Sequence, residues 1–452
     1  MENTEPNIVL IMDDQHRYDW IGCAGAGWVS TPNIDDLAGR GIRFENCVTN
    51  SAICAPARIA LASGLRPFRV GAFGNDAILP MSCPTYYQRL RDAGYHVGCV
   101  GKLDLAKSSH YNGRHGNRPL TFSWGFTHPY ECEGKIHAGR WPDPQGPYGE
   151  YLRGRGLYER FHEDYRKRHD AGWILDYTDS VLPEDAFQDV FIGREAVNWI
   201  EKASTEYPFH LFVSFAGPHN PYDPPAEFAR RYRDRAMPDP IQCDDADKPR
   251  YLSDRKITGD LDVIAATRRQ YAAAIEVIDT EIGRIVRALE NKGVLEDTVL
   301  IFTSDHGEMI GDFGCYTKGL PYEGAVRVPL VAAGPGIERD VESSALVELI
   351  DVNATICDLA GLGPQSNIDA RSFSRALRQP SADHRDECYC EVREFRLLRT
   401  REHKLVENVN DITELYELGP DPEEKNNIAS QSPRLVRELR NRMIALKNNS
   451  RF

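Results

Sequence analysis

The sequence lacks an apolar run long enough to cross a bilayer, and its first residues are acidic and polar rather than typical of a signal peptide. It has no CxxC zinc spacing, no internal repeat and no low-complexity tract. Positive charge is also in deficit, because 54 Lys and Arg face 68 Asp and Glu and give a net charge of -14. These absences argue against a membrane partner and against a nucleic-acid partner.

The cysteines indicate the redox environment that the chain suits. There are 11 of them, an odd number, scattered along 452 residues without a regular framework. We expect most to be reduced core thiols, which predicts a cytoplasmic protein for the sequence as written. A leader removed before this sequence begins would instead predict a periplasmic or secreted protein. The length suits one large domain with a smaller one and leaves oligomer formation open.

One short stretch, residues 51–64, combines the features of an anion-binding site. Pro56 suits the first turn of a helix and Gly64 suits its end, so Cys54 is expected just before the helix. Backbone N–H groups at a helix start attract anions. Arg58 follows one turn later, and its guanidinium can lean back toward Cys54. For an isolated cysteine a buried thiol would be the simpler interpretation, but together these groups suit a tetrahedral oxyanion ester.

A pair of carboxylates follows the first predicted strand. Residues 7–12 are a short apolar run typical of a buried parallel strand, and Asp13 and Asp14 come at its carboxyl end, where α/β sheets place ligand sites. Adjacent carboxylates repel each other unless a cation lies between them, although such a pair can also cap a helix. Oxygen ligands of this kind suit Ca²⁺ or Mg²⁺ better than zinc.

Further polar side chains occur at the ends of predicted strands. They are Lys102 and Asp104 after residues 95–100, His219 after residues 209–215, and Asp305 and His306 after residues 298–303. A lone histidine at a strand end is more often structural than catalytic. If the strands are parallel neighbours, however, all of these side chains meet at one edge of the sheet.

The pattern Cys54-x-Pro56-x-Arg58 resembles the signature of the type I, formylglycine-dependent sulfatases of the alkaline-phosphatase-like superfamily. Four further stretches resemble motifs of this family in the same order, namely Asp13-Asp14-Gln15, Gly101-Lys102, Pro218-His219, and Asp305-His306 with the later Lys318. The resemblance covers essentially the whole chain. It implies an α/β fold with a large mixed, mostly parallel sheet sandwiched by helices, plus a smaller C-terminal α+β subdomain.

The resemblance also implies cofactors. In this family the cysteine is oxidised to formylglycine by a formylglycine-generating enzyme, and the hydrate of that aldehyde is the nucleophile. One divalent cation accompanies it, with Ca²⁺ favoured over Mg²⁺ and Mn²⁺. The ligands carried over to this sequence are Asp13, Asp14, Cys54, Asp305 and His306. Asp305 would also accept a proton from the nucleophile.

Roles for the remaining site residues follow from the same resemblance. Three cations would spread the charge of the sulfate, and they are Arg58, Lys102 and Lys318. His219 would protonate the leaving oxygen. Asn75 matches an asparagine in the site of related phosphonate monoester hydrolases, although a polar residue after a glycine-rich turn is ordinary turn chemistry. Asp104 stands where many sulfatases carry histidine, so it is either a carboxylate base or a structural residue.

Two regions outside the motifs define the predicted organisation. Residues 108–185 are rich in Gly, Pro, Arg, His and aromatic residues, and we expect a loop-rich insertion that forms the rim of the substrate pocket. A solvated excursion packed on the core is the alternative for any single residue there. After residue 365 the pattern changes to a hairpin, a further strand and a closing helix. The predicted domains are therefore a catalytic domain, 1–365, and a C-terminal subdomain, 366–452.

The sequence thus predicts a sulfatase that hydrolyses a small-molecule or oligosaccharide sulfate ester, with a sulfated carbohydrate favoured and aryl sulfates as artificial substrates. A phosphonate monoester or phosphodiester hydrolase is the first alternative. His306 and the missing histidine at position 104 favour that alternative, whereas adjacent Asp13 and Asp14 favour a sulfatase. The second alternative is a non-catalytic, sulfatase-like binding protein.

Overall fold

The computed structural model describes residues 5–244, 246–257 and 259–449. Its centre is a nine-stranded sheet. In chain order its strands are β1 (Asn7–Asp14), β2 (Gly41–Val48), β3 (His96–Gly101), β4 (His128–Glu131), β5 (Phe209–Pro218), β6 (Thr298–Ser304), β7 (Arg327–Val328), β8 (Leu330–Ala333) and β9 (Val341–Glu348). The central strands β1, β5 and β6 are buried along almost their whole length, as their continuous apolar runs predict.

The sheet is mixed and mostly parallel, which confirms the predicted fold class. The strand order is β4-β3-β5-β1-β6-β8-β2-β7, and β9 pairs with β2. Strands β4, β3, β5, β1 and β6 run parallel to one another, whereas β8 is antiparallel to both β6 and β2. Because five adjacent strands share one direction, their carboxyl ends lie at the same edge of the sheet.

Helices cover both faces of this sheet, except for the last helix of the chain, which packs on a smaller sheet. They are α1 (Pro32–Gly39), α2 (Cys54–Ser63), α3 (Pro67–Val70), α4 (Tyr86–Asp92), α5 (Pro119–Ser123), α6 (Lys135–Arg140), α7 (Pro147–Gly154), α8 (Tyr158–Asp170), α9 (Gln188–Lys202), α10 (Ala226–Tyr232), α11 (Arg250–Asp254), α12 (Leu261–Lys292), α13 (Glu323–Val326), α14 (Asp351–Leu359), α15 (Ser374–Arg378) and α16 (Pro433–Asn449). Successive residues of β1 alternate between two cores. Ile8 and Leu10 pack on the side of α2, α4 and α14, whereas Val9 and Ile11 pack on the side of α9 and α12.

The segment 108–185 is more regular than the loop-rich insertion that we expected. It contains α5, β4, α6, α7 and α8, and β4 extends the large sheet at its edge. Prolines begin α5 and α7, where their missing N–H groups do no harm. The aromatic residues Tyr148, Phe161 and Tyr165 are buried in the core beneath the helices. Part of the aromatic content therefore packs in the core, whereas Tyr111, Phe122 and Tyr177 are exposed.

Helix α12 extends from Leu261 to Lys292, and its first turns carry polar residues on the buried side. Arg268 is one of these residues. It donates hydrogen bonds to the carbonyl of Ile310 at 2.9 Å and to Asp312 at 2.7 Å, so the buried guanidinium is fully engaged.

A second, antiparallel sheet lies near the C-terminus. Its strands are β10 (Cys388–Glu391), β11 (Phe395–Arg399), β12 (His403–Asn408) and β13 (Thr413–Glu417), and α16 packs on one face. The hairpin β11–β12 and the closing helix confirm the predicted small α+β layer, whereas β10 was not predicted because all four of its residues are buried. Phe373 still packs against Phe44 in the large core, and the boundary at residue 365 stays a prediction. Within the described ranges, no helix combines the length and apolar character that a membrane span needs.

Candidate active site

Cys54 is the first residue of α2, whereas the sequence predicts it just before the helix. The helix ends at Gly64, whose φ of 70° lies in the left-handed region that glycine adopts readily. Asn75 reaches the other end of the helix, where its Oδ1 accepts a hydrogen bond of 3.3 Å from the backbone N–H of Ala55. The predicted site residue Asn75 therefore lies at the same helix start as Cys54.

Four possible metal ligands meet at the carboxyl ends of β1 and β6. One ligand atom from each of Asp14, Cys54, Asp305 and His306 lies within 4.8 Å of the other three, and all four residues are buried. The convergence follows from the sheet, since β1 and β6 are parallel neighbours with Asp13 opposite Ser304. Cys54 Sγ lies 3.1 Å from His306 Nε2 and 3.7 Å from Asp14 Oδ1.

The chemistry of this group fits a divalent cation. His306 Nδ1 faces the carbonyl of Gly307 at 3.0 Å and must donate to it, which leaves Nε2 as a lone-pair donor toward a metal. Asp13, the fifth predicted ligand, lies just outside the group of four. Its Oδ2 contacts His16 Nδ1 at 2.5 Å, while its buried Oδ1 has no hydrogen-bond partner among the described residues. Two or three buried carboxylates with an unsatisfied oxygen suit a cation with oxygen ligands.

Arg58 lies beneath the site rather than in the cavity. Its side chain is 1% exposed, and its Nε donates to Asp305 Oδ2 at 2.7 Å. Its Nη1 donates to Ser214 Oγ at 2.7 Å and to the carbonyl of Lys102 at 2.8 Å. The role of Arg58 in spreading sulfate charge stays a prediction, since in this structure the guanidinium pairs with Asp305 and joins the ends of three strands through hydrogen bonds.

Lys102 follows Gly101, whose φ of 105° and close approach to β5 exclude a side chain. A Cβ at Gly101 would lie 1.9 Å from the carbonyl oxygen of Ser214. The Lys102 ammonium contacts Asp14, and it also lies 3.1 Å from Asp104. These carboxylates outweigh burial and raise the pKa of Lys102, so it is charged in the site.

Asp104 lies between two lysines, since its Oδ2 is 3.1 Å from Lys102 Nζ and 2.7 Å from Lys107 Nζ. Burial alone would raise the pKa of Asp104, but Lys102 and Lys107 lower it well below the ordinary value. A carboxylate held ionised in this way is a weak proton acceptor. Of the two predicted roles, this geometry favours a structural one, in which Asp104 positions the lysines.

Lys318 and His219 contact each other directly through Nζ and Nε2. His219 Nδ1 lies 2.5 Å from the carbonyl of Asn220 and must donate to it, so Nε2 accepts from Lys318. Burial and then Lys318 lower the pKa of His219, which makes the neutral imidazole the favoured form. In this contact Lys318 Nζ donates and His219 Nε2 accepts.

Two residues that the sequence analysis did not place in the site hold Lys318. Gln15 Oε1 accepts a hydrogen bond of 2.6 Å from Lys318 Nζ, and Gln15 Nε2 donates to the buried carboxylate of Glu308. Glu308 also accepts from the backbone N–H of Ile310 at 2.8 Å. Only the motif Asp13-Asp14-Gln15 hinted at Gln15, and no sequence pattern distinguished Glu308 from an ordinary acidic residue.

The thiol of Cys54 lies in a strongly positive field. Burial would raise its pKa, but Lys102, Lys107 and Lys318 lower it well below the usual value for cysteine. Thiolate character and a position at a helix start make this the reactive cysteine of the chain. No disulfide joins any of the described cysteines.

A cavity of about 300 Å³ opens above these residues. Its lining combines Asn75, Lys102, His219 and Lys318 from the predicted site with residues of α6, among them Lys135, His137 and Arg140. Helix α6 belongs to the segment 108–185, so residues of that segment line this cavity, and its role as a substrate rim stays a prediction. No sequence motif singled out α6, because its contribution depends on how the segment packs.

Comparison with known families agrees with this geometry. The sulfatase family model matches residues 6–362, and the model of the N-sulphoglucosamine sulphohydrolase C-terminal region matches residues 311–449. An arylsulfatase of Clostridium perfringens is 29% identical over 401 residues, which cover 84% of this chain and 80% of that protein. A choline-sulfatase of Rhizobium meliloti is 30% identical over 380 residues, which cover 80% of this chain and 69% of that protein.

Solved structures share the fold at lower identity. The phosphonate monoester hydrolase of Agrobacterium radiobacter superposes with a TM-score of 0.82 at 24% identity, over 98% of this chain and 96% of that one. A protein solved with its substrate D-glucosamine-2-N,6-O-disulfate superposes with a TM-score of 0.78 at 22% identity, over 99% and 97% of the two chains. With the strand-end residues and the family model in agreement over residues 6–362, this chain belongs to the sulfatase family of hydrolases and has the alkaline-phosphatase-like fold.

Proposed function

We propose that this protein hydrolyses the sulfate ester of a carbohydrate, using formylglycine formed from Cys54 and one divalent cation, with Ca²⁺ favoured. The observation that carries the proposal is the meeting of Asp14, Cys54, Asp305 and His306 beneath a cavity lined by lysines. Relatives with carbohydrate and aryl substrates support it, since they include an N-acetylglucosamine-6-O-sulfatase that is 24% identical over 94% of this chain, and an arylsulfatase.

Two groups would supply chemistry that the twenty amino acids do not. Formylglycine at position 54, made by a formylglycine-generating enzyme, would provide an oxygen nucleophile in its hydrated form. A divalent cation on Asp14, Asp305 and His306, with Asp13 as a further candidate ligand, would offset the negative charges that gather there. Position 54 suits the modification, because it lies at a helix start with its side chain inside the ligand group.

The side chains of this chain would bind and orient the sulfate. Lys102 and Lys318 line the cavity and would pair with sulfate oxygens, whose charge shifts toward the leaving oxygen as the ester bond breaks. The leaving alkoxide needs a proton. Because His219 Nδ1 faces the carbonyl of Asn220, Nε2 accepts from Lys318, so we assign that proton to Lys318 Nζ, with the imidazole orienting it. Asp305, which pairs with Arg58, would receive the proton of the nucleophile.

Substrate choice tests the proposal against its nearest alternative. We expect the protein to hydrolyse 4-nitrophenyl sulfate with a kcat/KM at least tenfold higher than that for a phenylphosphonate monoester, because the family relatives are sulfatases and both carboxylates of the first motif are present. The phosphonate substrate is the 4-nitrophenyl monoester of phenylphosphonic acid, so release of nitrophenol measures both rates. A higher rate on the phosphonate ester would replace the sulfatase assignment with that of a phosphonate hydrolase.

Metal removal is expected to lower both turnover and stability. Chelation should leave Asp14 and Asp305 as mutually repelling buried carboxylates, so the melting temperature should fall and should rise again on addition of Ca²⁺. A cation at a hundredfold excess over its Kd contributes about 2.7 kcal/mol. Thermal unfolding followed with and without Ca²⁺ measures the change. In Asp14→Asn the Ca²⁺-dependent shift should shrink, and an undiminished shift there would place the cation elsewhere.

A further inference from the structure

The cavity above Cys54 carries more positive charge than one sulfate monoester requires. Among the described residues that line it there are five lysines and arginines and two histidines but no carboxylate. They are Lys102, Lys107, Lys135, Arg140 and Lys318, with His137 and His219. In a chain whose net charge is -14, such a lining is a local property of the site rather than a reflection of the whole surface.

The carboxylates that pair with these cations lie behind the cavity wall. Asp104 serves both Lys102 and Lys107, and Lys135 Nζ lies 2.9 Å from Asp223 Oδ1. Lys102 also contacts Asp14, so carboxylates match Lys102, Lys107 and Lys135, and the excess positive charge of the lining lies on Lys318 and Arg140, which form no ion pair within the described residues. A sulfate ester carries a single negative charge, which Lys102 and Lys318 suffice to bind.

The remaining cations lie on one side of the cavity, on α6 and on the loop after β3. Arg140 ends α6, is exposed, and packs over the ring of Trp141 at 5.3 Å, without an ion pair to any described carboxylate. His137, one turn earlier on the same helix, lies 5.4 Å from His110 between ring centroids. Burial and then Lys107 lower the pKa of His137 to about 4, so it is a neutral hydrogen-bonding group beside two cations.

We infer that the substrate carries a second anionic group on the alcohol side of the ester, a carboxylate or a further sulfate, which Lys107, His137 and Arg140 bind. This inference rests on the proposed function, because it extends the sulfate ester substrate. The class of substrate is then a sulfated sugar that bears another acid, rather than a neutral sugar with one sulfate. Lys107 and Arg140 supply the charge, and His137 supplies a hydrogen bond.

A matched pair of aryl sulfates tests the second anion. One compound is a nitrophenyl sulfate with a ring carboxylate, and its partner is the methyl ester of that carboxylate, which has similar size but one negative charge less. We expect the wild-type kcat/KM to be at least tenfold higher for the carboxylate. In Arg140→Gln that preference should fall by about tenfold, since one charge-assisted hydrogen bond is lost. The bis-sulfate of the same ring is compared with the carboxylate compound by kcat/KM. A higher value for the bis-sulfate identifies sulfate as the preferred second group, and a higher value for the carboxylate compound identifies carboxylate.

Arg153→Gln is the matched control, because Arg153 is an exposed arginine of the same segment that pairs with Glu150 outside the cavity. It should keep the wild-type preference. Binding of the same two compounds to Cys54→Ala, measured by calorimetry, tests the second anion without turnover. Equal binding and equal kcat/KM for the carboxylate and its ester would overturn the inference and leave the sulfatase proposal intact. Preferential binding without any turnover would remove the sulfatase proposal and keep the anion site.

Discussion

Replacement of Cys54 by alanine is expected to lower kcat/KM for sulfate ester hydrolysis by about 10⁴-fold or more, which is the scale of losing a nucleophile. Alanine offers neither the thiol that becomes formylglycine nor any oxygen for attack on sulfur. It also removes one of the four ligand positions of the metal group. Release of nitrophenol from 4-nitrophenyl sulfate measures the loss.

The control for this prediction is Cys83→Ala, because Cys83 is a half-buried cysteine that lies outside the ligand group. It should retain nearly all of the wild-type activity. Mass spectrometry of the peptide that contains Cys54 should show an aldehyde in place of the thiol in the active protein. Unchanged turnover in Cys54→Ala would end the proposed mechanism, and an unmodified thiol in the native host would support the non-catalytic alternative.

Replacement of Arg58 by leucine is expected to destabilise the protein by about 3–5 kcal/mol, the typical cost of breaking a buried ion pair by removing one partner. The side chains of Arg58 and Asp305 are 1% and 0% exposed, so solvent does not screen the carboxylate that is left behind. The loss also frees Ser214 Oγ and the carbonyl of Lys102 from their donor. Denaturant unfolding in the presence of a chelator measures the change, because a bound cation would compensate Asp305.

The control is Arg153→Leu, which breaks the pair between Arg153 and Glu150. Those side chains are 44% and 23% exposed, and surface pairs of this kind contribute about 0–1 kcal/mol. A similar loss in both variants would show that Arg58 contributes no more than a surface arginine. Reduced catalysis with unchanged stability in Arg58→Leu would instead place the guanidinium in contact with the substrate, as the sequence analysis first suggested.

The position of Arg58 changes how the site is expected to work. The family resemblance groups Arg58 with Lys102 and Lys318 as cations that meet the sulfate, but the guanidinium donates to protein groups from beneath. Lys102 and Lys318 remain at the cavity wall. In the proposed mechanism the two lysines would contact the substrate, while the guanidinium of Arg58 divides its donors between Asp305, Ser214 and the carbonyl of Lys102.

Much of this arrangement could be predicted from local patterns. Short apolar runs followed at once by polar residues indicate buried parallel strands, and β1, β5 and β6 begin within one residue of their predicted starts. Pro56 and Gly64 delimit α2 by backbone restriction alone, without help from packing. These features depend on residues that are close in the chain, and for that reason the sequence reveals them.

Other features depend on contacts between distant residues. Glu308 contacts Gln15 although the two residues are 293 positions apart, and Lys318 contacts His219 at a separation of 99 positions. Contacts at such separations produce no periodic pattern in the sequence. The helix α6 reaches the cavity only because the segment 108–185 folds over the large sheet instead of forming loops. From composition alone, the buried aromatic residues of the segment 108–185 could not be distinguished from aromatic residues that bind a sugar at the rim of a pocket.

By itself, the sequence determined which chemical groups stand at the strand ends and where α2 lies, and motif resemblance grouped Asp14, Cys54, Asp305 and His306 as ligands. Only the tertiary structure decided that Asp13 lies just outside that group, that Arg58 supports it from below, and that α6 adds cations above. Those outcomes depend on strand order and packing, which place side chains from remote positions within a few ångströms of one another.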